Sequence, residues 1–289
     1  MGKACARFIC QNGILSCPAQ TFADTPDKLQ LQRGHNPLFP LSDEHRTIRT
    51  PVMTWLIIGV NVLVWFLVQG AGMNETQLAA SVCNLGLVPG ELTHIARIGT
   101  AIPLGDGLAC VVDNEPINVL TPLISLFLHG SWMHLLGNML YFWVFGNNIE
   151  DSMGSGRFLV FYILCGLAAA AAHVMVQPGS PVPTVGASGA ISGIMGAYLV
   201  LYPRIRVRMF FPPFFVFHVR AWLVLIIWFG TQLLSALPEL SSMRPEVSSG
   251  VAFWAHVGGF ITGLLLVKVF ENPRLVAERG VASGITRAM

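Results

Sequence analysis

Six apolar runs along the chain contain almost no charged side chains and stand apart from the polar segments between them. A helix needs about 20 apolar residues to cross the roughly 30 Å hydrocarbon core of a bilayer, and these runs approach that length. We therefore predict six transmembrane helices. Their predicted bounds are residues 52–68, 132–145, 158–176, 187–202, 221–237 and 251–270.

The amino-acid composition agrees with a membrane protein. Charged residues make up 11% of the 289 residues and hydrophobic residues 53%, whereas a soluble domain carries about 25% charged residues. A net charge of +2 with this apolar content excludes a disordered chain, a collagen and a basic nucleic-acid surface. We expect the chain to lie in the lipid bilayer and to bind no nucleic acid.

The distribution of Lys and Arg predicts the orientation of the helices. All but two of the 17 basic residues fall in the terminal segments or in the connections that follow the second and fourth spans. Arg97 and Arg244 are the two on the other side. Because basic residues concentrate on the cytoplasmic side of a membrane, both termini are predicted to be cytoplasmic. The predicted parts are a polar extension at 1–51, a six-helix core at 52–270 with an external loop at 71–118, and a cytoplasmic tail at 271–289.

Polar side chains lie at the outer ends of three predicted spans, where lipid does not tolerate them unless they face a cavity or a partner. They are His134 and Asn138 in the second span, Ser188 in the fourth and His256 in the sixth. The predicted topology brings all four to a similar depth. Small residues recur every four positions in the fourth and sixth spans, including Gly189, Gly193, Gly259 and Gly263. Such stripes allow close helix packing, so we expect these two helices to touch.

Serine chemistry follows from these residue types. A serine hydroxyl becomes a good nucleophile when a base takes its proton, and an imidazole is suited to that role. No Asp or Glu lies within the six runs, so we infer a dyad of Ser188 and His256 in place of a triad. His134, Asn138 and the backbone N–H of Ser188 are candidate donors to an oxyanion.

Other interpretations of these residues are weaker. A single Gly-x-Ser-Gly motif occurs by chance in many membrane helices. His129 and His134 can both bind metal, but their spacing points them to different helix faces. A metalloprotease motif and a pair of carboxylates within the spans are both missing from the sequence. We expect no metal and no cofactor.

Three motifs in this order resemble the rhomboid intramembrane serine proteases over about residues 51–270. They are the Gly-x-Ser-Gly motif with Gly186 and Ser188, the glycine-rich segment after His256, and the second-span segment with His134 and Asn138. The resemblance implies a six-helix bundle of the simple bacterial form, a multi-pass protein of the bacterial plasma membrane. It also implies a serine endopeptidase that hydrolyses a peptide bond in or near the transmembrane segment of a membrane-protein substrate.

The resemblance assigns a role to each site residue. Ser188 is the expected nucleophile and His256 its base, while His134 and Asn138 line the oxyanion site beside Gly186. Glu150 matches a structural acidic position of the family. The fifth span, with Trp222, Trp228 and Phe229, is the expected gate.

One departure from the family pattern concerns the catalytic histidine. The position four residues after the nucleophile, often an aromatic residue stacked on that histidine, is Ser192. The packing that holds His256 is therefore not predicted. An alternative function is that of a catalytically inactive rhomboid relative that binds or escorts membrane proteins, although such relatives usually lose the serine or the histidine. The sequence predicts neither the substrate nor the oligomeric state.

The six cysteines are spread along the chain and do not form a compact disulfide scaffold. Cys83 and Cys110 share the predicted external loop and can pair in an oxidising compartment. Cys5, Cys10 and Cys17 fit no common zinc spacing, so we expect reduced thiols there.

Overall fold

The computed structural model describes residues 39–44, 47–105, 107–113, 119–211, 215–241 and 252–282. Helices account for most of them, and each of the six predicted apolar runs overlaps one. The helices are α1 (Val52–Leu67), α2 (Glu75–Leu85), α3 (Pro89–Leu92), α4 (Thr121–Ile124), α5 (Trp132–Met153), α6 (Ser155–Val176), α7 (Ser188–Leu201), α8 (Ala221–Ser241), α9 (Phe253–Phe270) and α10 (Pro273–Ala282).

Two small antiparallel sheets accompany the helices, so the prediction of an all-α chain was incomplete. One sheet has the strand order β1-β4-β5 and the other pairs β2 with β3. The strands are β1 (Phe39–Asp43), β2 (Ala101–Gly105), β3 (Leu108–Val111), β4 (Arg206–Phe211) and β5 (Phe215–Arg220). Residues 206–209 alternate: Val207 and Met209 are buried, whereas Arg206 and Arg208 are exposed. This period of two is the strand signal that the search for long apolar runs overlooked.

The helices differ in how well each could span a bilayer by itself. Within the described residues, α6 and α9 are long and apolar enough to cross a membrane. Helices α1 and α7 and the segment Ala221–Leu237 of α8 are apolar but shorter. Helix α5 has 22 residues and ends at Met153, beyond the predicted bound at residue 145.

The second half of α5 carries polar residues that pair inside the protein, which is why the helix continues past its apolar run. Glu150 is buried, and its carboxylate accepts hydrogen bonds from the backbone N–H groups of Met53 at 2.8 Å and Thr54 at 2.7 Å. The hydroxyls of Thr54 and Ser155 also donate to it, at 2.7 Å and 2.6 Å. Because the first N–H groups of a helix have no partner within that helix, this carboxylate caps α1.

Helix α7 lies at the centre of the bundle and packs most closely against α9. A Cβ atom added to Gly259 would collide with the carbonyl oxygen of Gly189, and one added to Gly263 would collide with that of Gly193. Only glycine permits these approaches of one backbone to another. The predicted contact between the two small-residue stripes is confirmed.

A polar cluster stabilises the end of the bundle where α5 and α7 terminate, at the opposite end of α7 from Ser188. Arg279 of α10 is 1% exposed, and its Nη1 donates to the Asn148 carbonyl oxygen at 2.6 Å and to the Tyr202 hydroxyl at 3.0 Å. Its Nε lies 3.6 Å from Asp151 Oδ2. Asp151 also pairs with Arg49, whose Nη1 lies 3.3 Å from Oδ1. The cluster therefore ties α10 and the segment before α1 to α5.

A disulfide joins Cys83 of α2 to Cys110 of β3, across 27 positions of sequence. It resolves the question that the sequence had left open for these two cysteines. Cys165 on α6 is a free, buried thiol. Cys5, Cys10 and Cys17, like most of the predicted extension at 1–51, lie outside the described residues.

Candidate active site

Ser188 and His256 meet although 68 positions separate them in sequence. Ser188 is the first residue of α7, and His256 lies in the first turn of α9. The serine Oγ and the imidazole Nε2 are 2.8 Å apart, within hydrogen-bond distance. His256 is 8% exposed. The contact follows from the glycine packing of α7 on α9, which brings the first turns of the two helices together.

A cavity of about 520 Å³ opens over this pair. It is also lined by the other three predicted site residues, His134, Asn138 and Gly186. Gly186 has φ of 129°, a conformation that side chains disfavour. A Cβ there would lie 2.8 Å from His134 Nε2 and 3.5 Å from Asn138 Nδ2, so both polar groups face the glycine. The structure thus gathers all five predicted site residues around one cavity.

His129, which the sequence analysis weighed as a metal ligand, supports Asn138. Its ring is fully buried, and Asn138 Nδ2 donates to His129 Nε2 at 3.0 Å. Burial, and then the nearby His134, lower the pKa of His129 to about 3, so the ring is neutral and able to accept. Gln69 fixes the backbone of His129 from both sides, at 2.8 Å to its N–H and 2.7 Å to its carbonyl oxygen.

A family model for the rhomboid domain matches residues 115–272, which is more than half of the 289-residue chain. The chain belongs to the rhomboid family. The rhomboid fold is a helical membrane fold, so this is an integral membrane protein, and the family's proteases are serine hydrolases that act within the membrane.

Curated relatives of this rhomboid come from bacteria and from eukaryotes. Rhomboid protease GluP of Bacillus subtilis is 26% identical over 227 residues, which cover 78% of this chain and 36% of that protein. The human presenilin-associated rhomboid-like protein, mitochondrial, is 32% identical over 153 residues, which cover 50% of this chain and 36% of that protein. Rhomboid-like protease 5 of Toxoplasma gondii is 31% identical over 145 residues, which cover 49% of this chain and 15% of that protein. The matches span about a third or less of each relative.

In this rhomboid, α8 supplies the contacts that hold the imidazole. Ser192 is fully buried and donates its hydroxyl to the Ser188 carbonyl oxygen at 2.6 Å, within α7. The aromatic neighbour of His256 is instead Trp228, at 5.8 Å between ring centroids and 38° between planes. The ring nitrogen that does not face Ser188, His256 Nδ1, lies 2.8 Å from Gln232 Oε1.

Gln232 is the residue that the sequence analysis missed. It is a polar side chain within the predicted fifth span, and four positions after Trp228 it shares a helix face with that residue. The cost of a polar group at membrane depth marks Gln232 as a candidate functional residue, but the sequence does not show which helix its side chain faces.

Proposed function

We propose that this rhomboid is an intramembrane serine endopeptidase that cleaves membrane-protein substrates in or near their transmembrane segments. The 2.8 Å contact between Ser188 Oγ and His256 Nε2, two residues that line the cavity, carries this proposal. The bacterial relative that aligns over 78% of the chain, a rhomboid protease, supports the same reaction.

The proposed reaction begins when Ser188 Oγ attacks the carbonyl carbon of the scissile bond while its proton passes to His256 Nε2. The negative charge that develops on the carbonyl oxygen is stabilised by donors from His134, Asn138 and the backbone N–H of Ser188. The protonated imidazole then gives its proton to the leaving amine, and an acyl-serine forms.

Water completes the cycle. His256 takes a proton from a water molecule as the water oxygen attacks the acyl carbon. The proton then passes to Ser188 Oγ when the second product leaves. Because the backbone of a transmembrane helix is fully hydrogen-bonded, the substrate must unwind locally before its carbonyl enters the cavity. Segments with helix-weakening residues near the cut are therefore the expected substrates.

The proposed setting is a multi-pass protein of the bacterial plasma membrane, with six spans in the core at 52–270 and both termini in the cytoplasm. The cavity then opens on the outer side, where water can enter. The Cys83–Cys110 disulfide lies in the predicted external loop, and disulfides persist in oxidising compartments. This agreement supports the orientation that the basic residues predict.

The test begins with a fluorophosphonate probe, which reacts with activated serines and needs no substrate. The purified full chain in proteoliposomes should be labelled at Ser188, and labelling should disappear in Ser188→Ala and in His256→Ala. Ser192→Ala is the matched control, because Ser192 lies one turn along the same helix and does not line the cavity. It should retain labelling.

Cleavage of a reconstituted model substrate with one transmembrane segment provides the second measurement. Cleavage by the wild type that disappears in Ser188→Ala supports the proposal, and cleavage that persists in this variant contradicts it. Absence of both labelling and cleavage in the wild type would favour the inactive, membrane-protein-binding alternative.

A further inference from the structure

The imidazole of His256 has a polar partner on each of its two nitrogens. Nε2 lies 2.8 Å from Ser188 Oγ, and Nδ1 lies 2.8 Å from the side-chain oxygen of Gln232. A neutral imidazole carries one N–H and one acceptor nitrogen. For Nε2 to accept the serine proton, Nδ1 must carry the hydrogen and donate it elsewhere. Gln232 Oε1 is placed to accept it.

The neighbours of Gln232 fix the direction of its amide group. Gln232 Nε2 donates to Thr231 Oγ1 at 3.3 Å, and the Thr231 hydroxyl donates to the Trp228 carbonyl oxygen at 2.6 Å. With its NH₂ group engaged along α8, Gln232 presents its oxygen to the ring. The Trp228 ring lies beside His256 as well. A single turn of α8 therefore places both a hydrogen-bond acceptor and an aromatic ring against the imidazole.

Among the described residues, helix α8 packs against α9 and α7 through one face. Stacking of Phe229 on Phe260, with ring centroids 4.5 Å apart, joins it to α9. Its outer side exposes apolar residues, including Ile226, Ile227 and Leu234, which suits contact with lipid. Any outward movement of α8 would take Gln232 away from His256.

We propose that Gln232 is a positioning residue that holds His256 as the Nδ1–H tautomer, so that Ser188 is activated only while α8 is docked. This inference rests on the proposed function, because it concerns the same dyad. Gln232 touches no reacting atom and acts through the imidazole. It takes the place that a carboxylate occupies in a Ser-His-Asp triad.

Two substitutions separate positioning from packing. Gln232→Met keeps an unbranched side chain of similar length but removes the acceptor. Gln232→Glu keeps an acceptor for the Nδ1–H. Gln77→Met is the matched control, because Gln77 is exposed and binds the Val68 carbonyl oxygen far from the dyad in sequence. Thermal unfolding of each variant in the same detergent measures any change in the fold.

The readouts are the rate of fluorophosphonate labelling at Ser188 and the split between kcat and KM on a transmembrane substrate. For Gln232→Met we expect labelling and kcat to fall by about 10- to 100-fold, as for loss of one hydrogen bond to a group that becomes charged. KM should stay unchanged, and Gln232→Glu should recover most of the rate. Gln77→Met should match the wild type.

Equal labelling rates for the wild type and Gln232→Met would overturn the inference. A Gln232→Glu variant that folds but is as slow as Gln232→Met would also overturn it, since a packing role would explain both defects. A wild type that is not labelled at all contradicts the proposed function itself, and this outcome is distinct from the first two.

Discussion

Gly259 of α9 faces the carbonyl oxygen of Gly189 in α7 so closely that a single added methyl group would overlap it. The same relationship recurs one turn further along, between Gly263 and Gly193. These two approaches bring α9 against α7 and leave His256 beside Ser188. The contact between Ser188 and His256 therefore depends on glycine at positions where any side chain would interfere.

Gly259→Ala should push α7 and α9 apart. We expect a loss of about 1–3 kcal/mol of stability, as for overpacking of a well-packed core, and a greater loss of fluorophosphonate labelling because the dyad contact lengthens. Thermal unfolding and labelling rates check both effects. Gly59→Ala on α1 is the control, since a Cβ there meets nothing within 4 Å. Equal effects of the two substitutions would contradict the packing argument.

The Cys83–Cys110 disulfide should stabilise the folded protein. For a loop of 27 positions, removing the cross-link by Cys83→Ser with Cys110→Ser should cost about 3–4 kcal/mol. Thermal unfolding is measured with and without reductant. Reductant should lower the unfolding midpoint of the wild type and leave that of the double variant unchanged. Peptide mapping without reduction should recover the linked pair, and recovery of two free thiols from membranes would contradict the external position of this loop.

Glu150→Ala should destabilise the junction of α1 with α5. The substitution removes an acceptor that serves two backbone N–H groups, one buried and one partly buried, and two hydroxyls. Loss of the partner of a buried donor costs about 1–3 kcal/mol for each group left unsatisfied. Glu271→Ala, which breaks only the partly exposed pair with Lys268, should cost less than about 1 kcal/mol. Denaturant titration compares the two, and a similar cost for both would contradict the cap.

Acidification should weaken the fold through His129. Its pKa is lowered to about 3 in the folded protein, against about 6.5 in an unfolded chain. The unfolded state therefore binds a proton that the folded state excludes, and the stability due to this group is complete above pH 6.5 and falls as the pH drops towards 3. By pH 5 the loss should reach about 2 kcal/mol from this residue.

The variant His129→Gln tests that assignment, because its side-chain oxygen can still accept from Asn138 but does not titrate in this range. Unfolding midpoints measured from pH 7 to pH 5 should fall less steeply for the variant than for the wild type. Parallel slopes would show that His129 binds its proton equally in both states.

The sequence predicted which residues meet at the candidate site better than it predicted the contacts that hold them in place. Ser188, His256, His134 and Asn138 were located because each is a polar group in an apolar run, and depth along the helices then brought them together. The partner of His256 was not predicted, because it depends on which face of α8 turns toward α9. That rotation is a tertiary property that no local pattern in residues 221–241 reveals.

The sheets and the length of α5 were missed for a related reason. The strand β1 pairs with β4 at positions more than 160 apart, such as Phe39 with Phe210. The polar end of α5 is helical because Glu150 meets Thr54, 96 positions earlier. Hydropathy along the chain describes contact with lipid and cannot detect a polar residue whose partner is remote in sequence.

The burial of Arg279 has a consequence for biosynthesis. Asp151 can form all of its contacts only after α10 has left the ribosome, because Arg279 lies 128 positions after it in the chain. In the folded protein this carboxylate is almost inaccessible to solvent, where the absence of one of its two cations would be costly. This polar cluster therefore cannot be completed until all of the helices that carry the dyad have been synthesised.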